Sequence, residues 1–259
     1  MLRTNPGEGP ISTGLAENDD RDIRDFSIGS AAEPASAAGI EMPRVVLFDF
    51  DGVLVRDDLF ESFLRNRFRR QPWRLMPMLP LLPALLLLCI VPTGRRLLIN
   101  LFVRLGLSGS RLAKLEPELA RWGRARARLP GVVMRDGVVA LRRHVANGDR
   151  VVVVTGCEAG LARGLLDELA LGDIEVIGSQ LRDGWLGARP RVHVIGRRKI
   201  PALAERGIVA PWAIAYSDSS RDTPMLKGAT EAIIVNMDAR NRKRVERRLG
   251  RKLEWVSWR

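Results

Sequence analysis

Two aspartates directly follow a short apolar run near residue 45. The run Val45-Val46-Leu47-Phe48 is followed by Asp49-Phe50-Asp51-Gly52. Alternate residues of an extended chain project to the same side, so both carboxylates would lie at one end of a strand. One carboxylate can attack phosphorus while the other protonates the leaving oxygen and later activates water. The alternative interpretation is an Asp-Gly turn whose aspartates only cap backbone groups.

Three further polar groups occur at comparable places along the chain. Thr155 and Gly156 follow a second apolar run, where a hydroxyl and flexible amides can bind phosphate oxygens at the start of the next helix. Lys199 begins a predicted helix after Gly196. A later apolar run continues into a segment that contains Asp218 and Asp222.

The carboxylates predict a metal ion. Asp49, Asp51, Asp218 and Asp222 together would form an oxygen-rich site. Magnesium is a hard cation that prefers carboxylates and keeps waters and phosphate as ligands. We therefore expect magnesium at the edge of the sheet where these residues meet.

The elements that position these residues alternate between strands and helices. Apolar runs predict five strands: Val45–Phe48, Val151–Val154, Ile174–Ile177, Ala213–Tyr216 and Ile233–Val235. Helical stretches between and after the later strands are predicted at Pro130–Ala146, Glu158–Ala170, Lys199–Arg206 and Ala239–Leu249. This alternation is typical of an α/β protein with a doubly wound parallel sheet, which binds ligands at the carboxyl ends of its strands.

An inserted helical region interrupts this alternation after the first strand. We predict a catalytic core of residues 43–56 and 130–259 and a helical cap of residues 57–129. The first cap helix is predicted over Asp58–Phe68, with Asp57 or Asp58 capping its amino terminus.

The cap contains an apolar segment, Leu75–Val91, of 17 residues without a charge. As a helix it would extend about 26 Å, which is slightly short of a hydrocarbon layer of about 30 Å. Pro77, Pro80 and Pro83 would bend or break its first half. Arginines precede and follow it, Arg74 and Arg95 among them, which favours a re-entrant or interfacial membrane segment over a full span or a buried core helix.

Charge divides the chain near residue 41. The first 41 residues hold eight acids and three arginines, whereas the rest holds 22 acids and 39 basic residues. We expect the acidic tail to be disordered because it lacks an apolar period, and Met42 offers an alternative start codon. The tail has no apolar stretch of the secretory-signal type. The basic body predicts an anionic partner, which composition alone does not identify.

Other residues have plainer interpretations. Cys89 and Cys157 form no disulfide framework, and Cys157 is expected to be a small buried apolar group. His144 and His193 are expected to be structural or exposed. The basic run from Arg240 to Lys252 is a solvated face or a contact for anionic lipid headgroups, with Trp255 and Trp258 at the interface in the second case.

The chain contains, in this order, a DxD motif, a threonine, a lysine and a DxxxD motif. In this order of motifs, residues 43 to 257 resemble the magnesium-dependent phosphatases of the haloacid dehalogenase superfamily. The helical insertion and the YSDSSRDTPML segment resemble the phosphoserine phosphatase branch. The segments DDLFESFL, RRQP, LPLLP, GSQ and YSDS are most similar to the phosphatidylglycerophosphatase C family, which is bacterial and membrane-associated. Val53 departs from the threonine of many relatives, and the tail lies outside the resemblance.

The resemblance implies a role for each matched residue. Asp49 would be the nucleophile that forms an aspartyl-phosphate, and Asp51 the general acid and base. Thr155, Gly156 and Lys199 would bind phosphate oxygens. Magnesium would be held by the Asp49 carboxylate, the Asp51 backbone carbonyl and Asp218. Asp222 would orient Lys199 or a metal-bound water.

The resemblance also implies a Rossmann-type fold and a function. We expect a hydrolase that removes phosphate from phosphatidylglycerophosphate at the cytoplasmic face of the bacterial inner membrane, with anionic lipids as partners. No nucleic-acid partner is expected, and the sequence gives no indication of the oligomeric state. Two alternatives stay open: a soluble small-molecule phosphatase of the phosphoserine type, and a non-catalytic protein that binds membranes or anions.

Overall fold

The alternation of strands and helices is confirmed in a computed structural model, which describes residues 43–81 and 92–259. Two predicted features fall wholly or partly outside these residues. The acidic tail, 1–41, is one, and the second half of the apolar segment, 82–91, is the other. The described part of the chain therefore covers the predicted core and most of the predicted cap.

Seven strands form one sheet within the described residues. In chain order they are β1 Val45–Phe48, β2 Arg150–Glu158, β3 Glu175–Arg182, β4 Arg189–Val192, β5 Trp212–Ser217, β6 Ala229–Val235 and β7 Glu254–Val256. Their spatial order is β4-β3-β2-β1-β5-β6-β7, and every neighbouring pair is parallel except β3 and β4. The predicted parallel sheet is thus confirmed, with one antiparallel strand at its edge.

The helices are shorter than predicted in most cases. They are α1 Leu59–Arg70, α2 Pro92–Leu107, α3 Leu112–Ala127, α4 Arg135–Ala146, α5 Ala159–Glu168, α6 Lys199–Ala204, α7 Thr223–Lys227 and α8 Ala239–Leu249, with a 3₁₀ helix at Pro72–Leu81. The helix predicted from Pro130 begins only at Arg135. β2, predicted to end at Val154, continues to Glu158, because its pairing with β3 resumes after an irregularity between these two residues.

The sheet has an apolar core on each face. Side chains alternate along β2, so Val151 and Val153 lie in one core and Val152 and Val154 in the other. The first core also contains side chains of α1, α3, α4 and α5, and the second contains side chains of α6, α7 and α8. Burial on both faces explains why the central strands are continuous apolar runs.

The inserted region packs on the first core. Phe63 of α1 and Leu115 and Leu119 of α3 are fully or almost fully buried there. α3 also lies directly against α5: a Cβ added to Gly164 would be 2.2 Å from the carbonyl oxygen of Ala120. The glycines at this crossing allow the two helix backbones to touch.

The described part of the apolar segment differs from a membrane helix. Residues up to Leu81 belong to the 3₁₀ helix, which includes Pro77 and Pro80. Arg74, predicted to be a flanking charge, is instead buried, and its guanidinium donates to the Leu105 carbonyl at 3.3 Å and the Ser108 hydroxyl at 3.1 Å. Among residues 43–81 and 92–259, we find no helix with the length and apolarity needed to cross a membrane.

Candidate active site

The predicted site residues lie together at the carboxyl ends of three adjacent strands. β1 pairs with β2 on one side and with β5 on the other, so that Phe48 lies opposite both Val153 and Tyr216. The residues that follow, Asp49 after β1 and Asp218 after β5, therefore emerge at the same edge of the sheet. Thr155, within β2, lies at this edge as well.

Lys199 lies between two of these aspartates. Its Nζ atom is 2.8 Å from Asp49 Oδ1 and 2.6 Å from Asp222 Oδ2. All three residues are buried, with Lys199 only 2% exposed. The resemblance implies that Asp222 orients Lys199 or a metal-bound water. This contact is the one that the first of these roles requires, and the second stays a prediction. The metal site of four carboxylates that the motif spacing predicted stays a prediction.

Ser217 is a member of the site to which the sequence analysis assigned no role. It is completely buried at the end of β5. Its hydroxyl oxygen is 3.0 Å from Asp222 Oδ2 and 3.4 Å from Asp49 Oδ2 and accepts a hydrogen bond from the Ser219 amide at 3.1 Å. A hydroxyl has one hydrogen to donate, and the shorter distance favours Asp222. The signal in the sequence was its position between the predicted strand, which ends at Tyr216, and Asp218.

Asp51 contacts the inserted cap. Its Oδ1 atom accepts a hydrogen bond from the Leu59 amide, the first residue of α1, at 3.1 Å. The Thr155 hydroxyl is 3.5 Å from Asp51 Oδ2. Burial, and then the nearby negative charge of Asp58, raise the pKa of Asp51 to about 7. A group with this pKa can both donate and accept a proton near neutral pH.

Asp218 packs against the turn after Asp51. Gly52 has a φ angle of +78°, and a Cβ added to it would be 2.0 Å from Asp218 Oδ2. Only glycine accommodates both the left-handed backbone and the close carboxylate. Burial, and then the charge of Asp222, raise the pKa of Asp218 to about 6.

Burial and Lys199 oppose each other at the remaining carboxylates. Burial raises the pKa of Asp49 well above its usual range, although the Lys199 ammonium acts in the opposite direction. At Asp222, burial also disfavours the charged form, but Lys199 and the Ser217 hydroxyl outweigh it and lower the pKa. Although burial disfavours its charged form, the pKa of Lys199 is raised by these two carboxylates.

The other predicted residues have local structural contacts. The Thr155 hydroxyl accepts a hydrogen bond from the Cys157 amide at 2.9 Å, and the Gly156 carbonyl accepts one from Ser179 at 2.7 Å. Their binding of phosphate stays a prediction. Cys157 is buried, which raises the pKa of its thiol and leaves it an unreactive apolar group, as expected.

The site is suited to a divalent cation by its charge. Four carboxylates, those of Asp49, Asp51, Asp218 and Asp222, face one buried ammonium, and the pKa of three of them is raised. A bound cation would favour their ionised forms. Within the described ranges no three His, Cys, Asp or Glu side chains form a metal-binding group. The implied ligands are two carboxylates and a backbone carbonyl, and this set stays a prediction.

The chain belongs to the haloacid dehalogenase-like hydrolase family, because the family model matches residues 46–227. The match includes every one of the predicted site residues. It agrees with the α/β sheet and with the placement of the DxD motif after the first strand.

Individual proteins are also similar to this chain, one in sequence and two in fold. Protein CicA of Caulobacter vibrioides is 33% identical over 211 residues, which are 78% of this chain and 90% of the relative. A phosphoserine phosphohydrolase-like protein from Francisella tularensis has the same fold, with a TM-score of 0.54 and 12% identity over 82% of this chain and 94% of that one. A substrate-bound phosphoserine phosphatase matches with a TM-score of 0.50 and 16% identity, covering 82% and 93% of the two chains.

Proposed function

We propose that this protein is a magnesium-dependent phosphomonoester hydrolase that works through an aspartyl-phosphate. The observation that carries this proposal is the buried contact of Lys199 with Asp49, at 2.8 Å, next to Asp51, whose pKa is about 7. Asp49 supplies the nucleophile, Lys199 supplies a neighbouring cation, and the carboxyl group of Asp51 supplies a proton. These are the groups that phosphoryl transfer to a carboxylate requires.

The two oxygens of Asp49 have different surroundings. Oδ1 is 2.8 Å from the Phe50 amide and 2.8 Å from Lys199. Oδ2 is 3.4 Å from the Ser217 hydroxyl, which is a longer distance than either contact of Oδ1. The less strongly bound oxygen is the better nucleophile, so we assign the attack on phosphorus to Oδ2, with Lys199 screening the negative charge that develops.

Asp51 moves the protons in both steps. In the first step its carboxyl group donates a proton to the leaving alcohol oxygen as the bond from that oxygen to phosphorus breaks. In the second step the resulting carboxylate accepts a proton from the water that attacks the aspartyl-phosphate, which releases inorganic phosphate and restores Asp49. Magnesium, when bound by Asp49, the Asp51 carbonyl and Asp218, supplies charge stabilisation to the phosphoryl oxygens.

We propose phosphatidylglycerophosphate as the substrate. The support is the resemblance of the motif segments to the phosphatidylglycerophosphatase C family, together with the apolar surface of the cap. On the 3₁₀ helix, Trp73, Met76 and Leu79 are 58%, 62% and 63% exposed. On α2, Leu97 and Ile99 are 57% and 63% exposed.

This exposed apolar surface suits a membrane-associated enzyme. The 3₁₀ helix and α2 are joined by residues 82–91, whose sequence contains no charged side chain. Several large apolar side chains exposed on these two helices are suited to an interaction surface. We therefore propose that the cap contacts the cytoplasmic face of the bacterial inner membrane, where the lipid substrate would be located.

The proposal is tested by measuring phosphate release from four substrates with and without magnesium. The panel is phosphatidylglycerophosphate, phosphatidic acid, lysophosphatidic acid and phosphoserine. We expect magnesium-dependent release that is fastest with phosphatidylglycerophosphate. Asp49→Asn should lower the rate at least about a thousandfold because an amide is not a nucleophile for phosphorus.

The matched control is Asp173→Asn, which makes the same substitution at an exposed aspartate away from the site. It should retain the activity of the natural protein. Full activity of Asp49→Asn would contradict the aspartyl-phosphate mechanism. Fastest release from phosphoserine would instead favour the small-molecule alternative.

A further inference from the structure

The turn between β3 and β4 carries the most exposed large apolar side chain of the described residues. Trp185 is 97% exposed, and its neighbour Leu186 is 71% exposed. Both lie at the tip of the hairpin that these two strands form. The proposed mechanism uses neither of them, so their exposure needs a separate explanation.

Main-chain contacts fix this tip on the cap. The Gly109 amide, just after α2, donates to the Leu186 carbonyl at 2.7 Å, and the Ala188 amide donates to the Ser110 carbonyl at 2.8 Å. Gly187, with a φ angle of +122°, permits the close approach, because a Cβ there would be 2.7 Å from the Gly109 amide nitrogen. The backbone of the tip is therefore held in place while its two apolar side chains stay in solvent.

The hairpin projects from the catalytic edge of the sheet. β3 is parallel to β2, and Ser179 of β3 donates to the Gly156 carbonyl at 2.7 Å. Ser179 is also the partner of Glu158, the last residue of β2. β3 continues for three more residues, about 10 Å, before the turn. The tip thus extends beyond β2 at the edge where ligands of such sheets bind.

The strands behind the tip are basic. Arg182 and Arg189 lie directly opposite each other in the β3–β4 ladder, an arrangement of like charges that destabilises a sheet. Within the described ranges these two residues and Arg191 form no salt bridge. Asp183, the acidic residue of the turn, accepts the Leu112 amide at the start of α3 at 2.8 Å. An anionic partner would relieve the repulsion between the opposed arginines.

A lipid bilayer suits this tip better than a second protein surface. A stable protein interface buries about 800 Å² on each partner. One aromatic side chain offers only about 150–250 Å², so a tip of two side chains falls short of that area. A bilayer instead encloses a protruding tip from all sides. Tryptophan prefers the boundary between water and hydrocarbon, and arginines near it attract anionic headgroups.

We infer that the tip of the β3–β4 hairpin inserts into the surface of an anionic phospholipid bilayer. Trp185 lies at the level of the headgroups, Leu186 enters the hydrocarbon, and Arg182 and Arg189 contact lipid phosphates. This inference rests on the proposed function and deepens it, because it adds a membrane contact on the catalytic core to the one on the cap. Since the tip is bonded to the segment after α2, both contacts meet one bilayer and turn the catalytic edge towards it.

A fluorescent label reports insertion directly. Leu186→Cys, in a Cys89→Ser background that retains the buried Cys157, is labelled with an environment-sensitive dye and mixed with phosphatidylglycerol vesicles. We expect the emission to shift to shorter wavelength and to be quenched by lipids with nitroxide groups on their acyl chains. The matched control is a label at Val209→Cys, which is 72% exposed in the segment before β5 and thus at the opposite edge of the sheet. It should show neither change.

Substitutions test the two kinds of contact separately. Trp185→Ser should weaken binding to phosphatidylglycerol vesicles about tenfold, and Trp185→Phe should retain most of it. Arg182→Gln should weaken binding about fivefold. Arg143→Gln is its control, since Arg143 is exposed in the last turn of α4, at the opposite edge of the sheet, and it should bind as the natural protein does. All four variants should hydrolyse a soluble substrate, 3-hydroxypropyl phosphate, with unchanged kcat/KM.

The outcomes separate this inference from the proposed function. An unquenched label at residue 186, or equal quenching at residue 209, would overturn the inference even if the protein hydrolyses phosphatidylglycerophosphate. If no substrate is hydrolysed, the phosphatase proposal fails while the quenching result still decides the inference. A shift of the label that grows with protein concentration without vesicles would identify a second copy as the occupant and overturn the inference. Circular dichroism shows whether each variant is folded.

Discussion

Lys199 is the residue that organises the candidate site. Its Nζ atom is 2.8 Å from an oxygen of Asp49 and 2.6 Å from an oxygen of Asp222. Because all three side chains are buried, solvent does not screen these contacts. Asp222, with its lowered pKa, keeps Lys199 charged, and Lys199 in turn favours the ionised form of Asp49. Asp49, the proposed nucleophile, therefore depends on Lys199, 150 positions away in the chain, and through Lys199 on Asp222, 173 positions away.

At the same scale, Asp51→Asn should impair substrates according to their leaving groups. The Asn side chain cannot donate the proton that an alkoxide leaving group needs. Phosphorylation of Asp49 by 3-hydroxypropyl phosphate or by a lipid phosphate should therefore slow by roughly a hundredfold or more. p-Nitrophenyl phosphate should be affected less in this step because its leaving group needs no proton. Single-turnover release of the alcohol measures the step. Equal losses for both substrates would contradict the role of Asp51 as the acid.

The candidate site contains more carboxylates than ammonium groups, which predicts that magnesium stabilises the folded protein. Added magnesium should raise the melting temperature at constant ionic strength, since an ion that binds only the folded state shifts the unfolding equilibrium. Asp218→Asn should abolish this rise, whereas the exposed control Asp173→Asn should keep it. Differential scanning calorimetry gives the measurement without reference to activity. A rise of the same size in Asp218→Asn would show that the ion binds elsewhere.

At the scale of elements, the crossing of α3 and α5 connects the inserted cap to the catalytic core. Gly123 lies next to the α5 backbone as Gly164 lies next to the α3 backbone, with added Cβ atoms 2.2 Å from the Leu161 and Ala120 carbonyl oxygens. α5 follows β2, which carries Thr155. The position of the cap relative to the site thus depends on the close approach of two helices.

Gly164→Ala should destabilise the protein by about 1–3 kcal/mol because the new methyl group forces the helices apart. This loss should exceed the gain of about 1 kcal/mol that alanine normally brings to a helix interior. Gly160→Ala is the control on the same helix, since its added Cβ would meet no backbone atom and would lie 3.3 Å from its nearest neighbour, a carboxylate oxygen of Glu158. Denaturant-induced unfolding gives both free energies. A Gly164→Ala variant as stable as the natural protein would show that the crossing relaxes readily.

At the scale of the whole molecule, charge and apolar surface occur on different parts of the chain. The basic helix α8 ends near Trp255, which is 59% exposed and has the Arg242 guanidinium 4.8 Å from its ring centre. Trp258 instead packs against Tyr216, with ring centres 5.4 Å apart, so it is partly buried. Trp255 thus has an exposed ring, whereas Trp258 is only partly exposed. Contact of these tryptophans with lipid headgroups stays a prediction.

The membrane proposal predicts that the protein binds anionic vesicles through its cap. Replacing Trp73, Met76 and Leu79 together by serine should weaken binding to phosphatidylglycerol vesicles at least about tenfold, because each buried apolar side chain contributes about 1.5–3 kcal/mol. Cosedimentation measures the bound fraction. Val209→Ser, at a position 72% exposed before β5, is the control and should bind as the natural protein does. Unchanged binding of the triple variant would place the contact elsewhere.

Local sequence patterns were sufficient to predict five of the seven strands, all but β4 and β7, together with the order of the motifs and the edge of the sheet at which they meet. Continuous apolar runs predict buried strands because a parallel sheet is covered on both faces, and β1, β5 and β6 lie close to their predicted positions. The Asp-Gly turn and the capping aspartate were also local signals. The structure identifies Asp58 rather than Asp57 as the cap of α1, through its contact with the Glu61 amide.

Contacts between distant segments could not be read from these patterns. Ser217 is one hydroxyl among several in its segment, and its role depends on β5 lying beside β1. Arg74 resembles a solvated flanking charge until the end of α2 places backbone carbonyls beside it. The raised pKa values arise from burial, which depends on how all the elements pack together. Local patterns record the preferences of neighbouring residues, whereas desolvation and through-space charge depend on residues that only folding brings together.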